Sequence, residues 1–122
     1  MEMIFSEDES DERINQTGNT QPALFAVEYA LYKLLEASGV RPDVVMGHSV
    51  GEFTAAVIAG VMTLEDGAKL ICARGRLMDA FDQCKGCMVS IRCTRDVLES
   101  AILNAETSNQ VGIAAVNSVR AV

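Results

Sequence analysis

The chain has 122 residues, of which 49% are hydrophobic and 22% are charged, and this composition is typical of a soluble globular domain or of a piece of one. Its net charge is −7, and residues 1–13 hold six acidic residues against one arginine, which predicts a loosely ordered acidic lead-in rather than a basic signal or transit peptide. Because no apolar run is long enough to span a bilayer and no basic, aromatic segment favours nucleic acid, we expect a cytoplasmic protein that binds neither membranes nor nucleic acid.

The spacing of apolar residues predicts an α/β fold. A first helix is expected to start at Thr20, Gln21 and Pro22 and to stop at Gly39, because proline suits a first turn and glycine a helix end. Its apolar positions form one stripe: Leu24, Val27, Leu31, Leu34 and Leu35.

One strand and two helices are predicted between residues 44 and 81. The short apolar run at 44–46 is typical of a buried parallel strand. Residues 53–61 are apolar on every side, which predicts a buried helix. Residues 63–81 predict an amphipathic helix with Thr63 as its cap.

The spacing of apolar residues along the chain changes after residue 86. Strands are predicted at 87–93 and 111–118, with a helix at 94–105 between them. We therefore expect one larger subdomain at 14–85 and part of a smaller one at 86–122.

The pentapeptide GHSVG at 47–51 fits the pattern G-x-S-x-G between a predicted strand and a predicted helix. In such an elbow the serine, here Ser49, occupies a strained backbone position and is a nucleophile. Glycines are expected at 47 and 51 because Cβ atoms there would collide across the turn, and the N–H of Val50 would face a developing oxyanion. The alternative is an ordinary capping box formed by Ser49 and Glu52.

His48 is the only histidine in the chain. Its side chain should diverge from that of its neighbour Ser49, and a general base must lie within hydrogen-bond distance of the hydroxyl that it deprotonates. We therefore expect His48 to be structural, packed or hydrogen-bonded beneath the elbow, and the base to lie outside the chain.

Arg74 falls inside the apolar arc of its predicted helix, between Ile71, Met78 and Phe81. A guanidinium that faces a core needs a partner, because an unpaired buried charge is costly. Three alternatives remain: a carboxylate of the protein pairs with it, its stem snorkels so that the charge reaches solvent, or it holds the carboxylate of a substrate by two hydrogen bonds.

The four cysteines include a C-x-x-C pair, Cys84 and Cys87. No second pair of cysteine or histidine residues completes a tetrahedral metal site, and the pair does not open a helix as a redox motif does. Free thiols and no metal are the expectation.

Three segments, TQPALFAVEYALYKLL, GHSVGEFTAAVIAGVMTLEDGAKLICARGRLM and VGIAAVNS, resemble the acyltransferase domains of modular polyketide synthases. They are similar, more distantly, to malonyl-CoA:acyl carrier protein transacylases, and the resemblance covers about residues 14–118. It implies a parallel sheet with flanking helices and a serine elbow, as in α/β-hydrolases, followed by a truncated ferredoxin-like subdomain. It also implies roles for four residues: Ser49 carries the acyl group, Val50 provides an oxyanion N–H, Arg74 binds the malonyl carboxylate, and Gln21 lies near the active site.

The reaction that the resemblance implies is transfer of a malonyl group from CoA to an acyl carrier protein in polyketide or fatty-acid biosynthesis. Ser49 would form a malonyl ester, and the phosphopantetheine thiol of the carrier would accept it. No tightly bound cofactor is implied. Val50 after the serine resembles malonyl-type members more than methylmalonyl-type ones.

The chain also departs from the family. Nothing before residue 20 resembles the family's glycine–glutamine loop, the family's catalytic histidine would lie beyond Val122, and Val119 stands where proline is usual. We therefore expect an interior fragment that needs the remainder of its domain. The alternatives are a serine esterase or thioesterase and a non-catalytic acyltransferase-like domain.

Overall fold

The computed structural model describes residues 4–8, 12–81, 86–105 and 110–122. The chain divides into two compact units, Met1–Lys85 and Gly86–Val122. The first unit contains a 3-10 turn at Glu12–Asn15 and three helices: α1 at Thr17–Ala37, α2 at Gly51–Ile58 and α3 at Leu64–Phe81. The second unit contains α4 at Arg95–Asn104.

Helix α1 starts three residues earlier than predicted, so Pro22 lies inside it rather than in its first turn. Side-chain contacts stabilise the additional residues. The Thr20 hydroxyl donates to the carbonyl of Gln16 at 2.9 Å, and the Gly18 N–H donates to the Asp79 carboxylate of α3 at 2.9 Å. The helix ends at Ala37 and the chain turns at Gly39, whose φ of 86° requires glycine, as predicted.

Helices α1 and α3 pack closely because glycines remove side chains from their interface. A Cβ on Gly75 would lie 3.0 Å from the Gly18 Cα. Further along α3, a Cβ on Gly67 would lie 2.6 Å from a methyl of Val57 and 3.0 Å from the Phe25 ring. The three helices therefore meet around Gly67, beside the fully buried Ile71.

The remaining helix predictions hold with small corrections. Thr63 caps α3, since its hydroxyl accepts from the Asp66 N–H at 3.1 Å and donates to the Asp66 carboxylate at 2.8 Å. Thr94 is the N-cap residue of α4. Helix α2 ends earlier than expected, at Ile58, and only Thr54 of this helix is buried. The prediction that α2 is buried on every side is therefore wrong for this chain.

The predicted parallel sheet is absent from the described residues, in which no strand is present at 44–46, 87–93 or 111–118. A strand exists only through hydrogen bonds to a neighbouring strand, and no described segment lies alongside residues 44–46 to supply them. Val44 and Met46 are 86% and 93% exposed. In the second unit, Ile91 and Val122 exchange both backbone hydrogen bonds, at 2.8 and 3.0 Å, in the manner of an antiparallel pair.

The apolar stripe predicted on α1 is present, but it is not buried. The residues of α1 that are buried are Gln21 and Phe25. The stripe itself is exposed and consists of Leu24, Val27, Leu31, Leu34 and Leu35. A continuous exposed apolar surface of this kind associates with other apolar surfaces.

We expect the isolated 122-residue chain to bind a hydrophobic dye and to self-associate at micromolar concentration. The exposed stripe and the residues around Val44 and Met46 are the physical reason. Dye fluorescence and light scattering measure the two effects. A sharp, cooperative thermal transition of a monomer without dye binding would contradict this prediction.

Three of the four cysteines lie within the residues described. Cys72, Cys87 and Cys93 are free thiols, and Cys84, the other half of the C-x-x-C pair, lies outside the described residues. Within the described ranges, no group of histidine, cysteine and acidic side chains is arranged to hold a metal ion. No helix in this part of the chain is both long and apolar enough to cross a membrane.

Candidate functional site

The backbone at Ser49 is strained in the way that the elbow pattern predicts. Ser49 has a φ of 54°, the left-handed region that residues other than glycine seldom adopt. The turn around it is held by backbone hydrogen bonds from Gly51 to His48 at 3.0 Å and from Phe53 to Val50 at 3.0 Å. Such strain costs about 1–3 kcal/mol and persists only when the surrounding structure fixes it.

The two glycines that flank the elbow are not equivalent. A Cβ on Gly47 would lie 2.2 Å from the Gly51 carbonyl group and from the Glu52 nitrogen, so this position requires glycine. A Cβ on Gly51 would lie 3.7 Å from the Glu28 carboxylate, which is an ordinary contact. The expectation that both positions exclude a Cβ is therefore correct for Gly47 and wrong for Gly51.

The Ser49 side chain does not cap α2. The N-cap residue of α2 is Val50, and no side-chain hydrogen bond caps this helix end. The Ser49 Oγ instead accepts a hydrogen bond from Arg74 Nη2 at 3.2 Å. Within the described residues, the Val50 N–H donates no hydrogen bond. The capping-box alternative is therefore absent, and a backbone donor is available next to the exposed serine.

Arg74 is half-buried and has neutral partners. Its Nη1 donates to the Gln21 Oε1, its Nη2 donates to Ser49, and its guanidinium carbon lies 6.0 Å from the centre of the Phe53 ring. Among the described residues, no carboxylate lies within ion-pair distance of it. The site therefore holds a guanidinium whose charge no described acidic side chain neutralises.

Gln21 is the buried member of the site, with 5% of its surface exposed. Its amide nitrogen donates to the Met78 sulfur at 3.1 Å, while its oxygen accepts from Arg74. Both ends of the amide are therefore occupied, which fixes the orientation of Gln21 and of the guanidinium edge that it contacts.

His48 differs from the expectation. Its side chain is exposed, rather than packed beneath the elbow, and it makes no side-chain hydrogen bond to any described residue. The side-chain contact of the Ser49 hydroxyl is with Arg74 and not with His48. No imidazole is therefore in position to deprotonate Ser49 within the described part of the chain.

Sequence reasoning missed a polar contact beside the elbow. The Thr54 hydroxyl, in a side chain that is only 4% exposed, donates to the Glu28 Oε2 at 2.6 Å. Glu28 and Thr54 line one groove with His48 and Gly51. The available signal was a threonine inside an otherwise apolar helix, facing a glutamate two turns along α1 from Gln21.

Perturbed pKa values occur on the surface of α1, in its last turns. Hydrogen bonds from Lys33, and then from Tyr32, hold the pKa of Glu36 below its usual value. The Lys33 pKa is raised by the same contact. These exposed groups stabilise a turn of the helix and provide comparison positions for substitutions nearer the elbow.

Comparison with known proteins gives a consistent result. The family described as "Acyl transferase domain" matches residues 2–122. The chain is 46% identical to polyketide synthase GfsA of Streptomyces halstedii over 99% of its own length and 2% of the relative's. It is 49% identical to mycoketide-CoA synthase of Mycobacterium tuberculosis over 95% of its length and 3% of the relative's.

Two solved structures share the fold of the chain. The acyltransferase domain from the second module of the salinomycin polyketide synthase superposes with a TM-score of 0.78 at 41% identity, covering 97% of this chain and 29% of that one. Malonyl CoA-acyl carrier protein transacylase from Burkholderia pseudomallei superposes with a TM-score of 0.76 at 29% identity, covering 93% of this chain and 39% of that one. The chain thus spans well under half of the length of each of these four proteins.

Proposed function

The chain belongs to the acyl transferase domain family, and from this premise we propose that it provides the nucleophile and the carboxylate-binding group for malonyl transfer to an acyl carrier protein. The observation that carries the proposal is the hydrogen bond from Arg74 to the Ser49 hydroxyl, because it places a cation without a described acidic partner beside an exposed nucleophile. Malonyl-CoA has both groups that such a pair would bind, a thioester and a free carboxylate.

In the first half-reaction, the Ser49 Oγ attacks the thioester carbonyl while a base takes the hydroxyl proton. The Val50 N–H stabilises the resulting oxyanion as one of its donors. The carbon–sulfur bond then breaks, CoA leaves as the thiol with that proton, and a malonyl-serine ester remains. In the second half-reaction, the phosphopantetheine thiol of the carrier attacks the ester and regenerates Ser49.

We propose that the base is a histidine from outside the 122 residues. Among the residues of this chain, His48 alone is an imidazole, and it is exposed and makes no bond to Ser49. Because that histidine would come from the remainder of the acyltransferase domain, we propose this remainder as a partner of the chain. In that whole domain, residues 44–46 would belong to a parallel sheet, and residues 86–122 to a ferredoxin-like subdomain.

Arg74 would hold the malonyl carboxylate. Its guanidinium has two nitrogens at the site, of which one contacts the neutral Gln21 and the other the neutral Ser49. A carboxylate that replaces the Ser49 hydroxyl as the partner of Nη2 would form a charge-assisted bond and release the nucleophile.

We propose a soluble, cytoplasmic protein without a tightly bound cofactor, in a polyketide or fatty-acid pathway.

The experiment uses a transplant domain, defined as the acyltransferase domain of the second salinomycin module with its matching segment replaced by this whole chain. Incubation with malonyl-CoA should add a malonyl group to the peptide that contains Ser49, as measured by mass spectrometry. A carrier protein with its phosphopantetheine arm should then receive the group. The isolated chain is the control and should show no turnover, because it lacks a placed base.

Two other outcomes identify the alternatives. Release of free malonate from the transplant domain, faster than transfer to the carrier, would indicate a thioesterase. Absence of any acyl-serine in a folded transplant domain would indicate a non-catalytic chain.

Substitution Gly47→Ala in the transplant domain is expected to lower stability by about 3 kcal/mol or more and to prevent acylation of Ser49. The added methyl would lie 2.2 Å from the backbone of Gly51, which has no flexible side chain to move aside. Chemical denaturation and acyl-serine yield measure the two effects.

Gly51→Ala is the matched control for this prediction. The same methyl there lies at an ordinary distance from Glu28, so stability and acylation should change little. Equal effects of the two substitutions would contradict the elbow geometry.

A further inference from the structure

The contact between Glu28 and Thr54 joins α1 to α2, the helix that follows the nucleophile. The Thr54 hydroxyl donates to Oε2 at 2.6 Å. A Cβ built on Gly51 would lie 3.7 Å from Oε1 and 3.9 Å from Oε2 of the same carboxylate. The Glu28 side chain therefore contacts α2 at Thr54 and lies close to Gly51, the residue at which α2 begins.

Glu28 shares one face of α1 with Gln21, because residues seven apart lie two turns along the same side of a helix. Gln21 contacts the guanidinium of Arg74, and Glu28 contacts the helix that follows Ser49. The buried Phe25 lies between them on this face. One rigid helix thus makes a polar contact with each half of the site.

The elbow needs such support, since Ser49 is held at a positive φ. A strained conformation relaxes unless neighbouring contacts oppose it. The backbone hydrogen bonds of the turn are local to residues 48–53, whereas the bond between Thr54 and Glu28 ties the turn to a separate helix.

We propose that Glu28 is a positioning residue, which acts through its part-buried hydrogen bond to Thr54 to fix the backbone of Ser49 and the Val50 N–H. The inference rests on the proposed function of Ser49 as the acyl carrier of the site. Glu28 does not touch the substrate. Its role is that of a hydrogen-bond acceptor, so an amide in the same place should replace it.

The test measures acyl-serine formation in the transplant domain with malonyl-CoA and acetyl-CoA. Glu28→Leu and Thr54→Val should each slow loading by about tenfold, because a buried polar group loses its partner and the elbow its support. Glu28→Gln and Thr54→Ser keep the bond and should retain at least about half of the rate. The ratio of malonyl to acetyl loading should stay constant, since Arg74 is untouched.

The double variant Glu28→Leu/Thr54→Val shows whether the two single substitutions slow loading through the same hydrogen bond or through two independent effects. Its rate should equal that of the slower single variant, because both substitutions break one bond. Glu36→Leu is the matched control, as Glu36 lies on the same helix but contacts Tyr32 and Lys33 instead of α2. Multiplied losses in the double variant, or losses no larger than that of Glu36→Leu, would overturn the proposal.

Amide hydrogen exchange gives a readout that does not depend on turnover. The amides of Gly51, Glu52 and Phe53 form the hydrogen bonds of the elbow and should exchange about tenfold faster in Thr54→Val, while those of α4 stay unchanged. If no acyl-serine forms in the parent transplant domain, the proposed function fails but exchange still decides the role of Glu28. Unchanged exchange at the elbow overturns it, and selective acceleration supports it.

Discussion

Replacement of Ser49 by alanine is expected to lower acyl-enzyme formation in the transplant domain by at least about 10³-fold, because the reaction loses its nucleophile and not merely a contact. The fold should remain intact, since the Ser49 hydroxyl makes one exposed hydrogen bond, to Arg74. Time-resolved mass spectrometry of the loaded domain measures the effect.

Ser38→Ala is the matched control for that substitution. The Ser38 hydroxyl donates to the Leu34 carbonyl at 3.0 Å, at the end of α1, and has no role in the proposed chemistry. Loading should match that of the parent domain. A malonyl adduct that persists at full rate in Ser49→Ala would assign the nucleophile to another residue.

Arg74→Ala should slow malonyl loading far more than acetyl loading. The loss of a hydrogen-bonded charge pair is worth several kcal/mol, so discrimination between the two acyl groups should fall by a factor of about 30 or more. Acetyl has no free carboxylate, and its loading should depend on Ser49 and the oxyanion donors alone. Acyl-serine formation with both thioesters measures the ratio.

Two further substitutions sharpen the arginine experiment. Arg74→Lys keeps the charge but loses the planar fork, and should recover only part of the malonyl preference. Arg76→Ala removes an exposed charge from the same helix and should leave the preference unchanged. If Arg74→Ala slows both acyl groups equally and lowers the melting temperature, Arg74 is structural.

The helices were predictable because their signals are local. Thr63 and Asp66 are three residues apart, and their mutual hydrogen bonds mark the start of α3 without reference to any other part of the chain. The start of α1 was not predictable in this way. Its first turn depends on Asp79, which is 61 residues from Gly18 in sequence.

The predicted strands fail for a related reason. The run at 44–46 has the composition of a buried strand, yet a strand also needs a neighbour to receive its hydrogen bonds, and composition does not provide one. In the described residues, Val44 and Met46 face solvent instead. Sequence thus predicted strands at these segments, and the described residues adopt none there.

The candidate site also has features that local motifs predict and contacts that they do not. The elbow and the unusual placement of Arg74 were visible in short motifs, because spacing along one turn or one helix determines them. The contact between Arg74 and Ser49 joins residues 25 positions apart, and that between Thr54 and Glu28 joins residues 26 apart. His48 was misplaced because its surroundings depend on segments that motif reasoning does not include.

At Ser49, whose φ is positive, the requirement of catalysis opposes the requirement of stability. Glycine would adopt that backbone conformation without steric cost, but it carries no hydroxyl. The chain therefore keeps its reactive group at a position where a more stable alternative is available, which is the usual trade-off between activity and stability. The close packing of α1 against α3 at Gly18 and Gly75 is one of the contacts whose stabilisation must offset this cost.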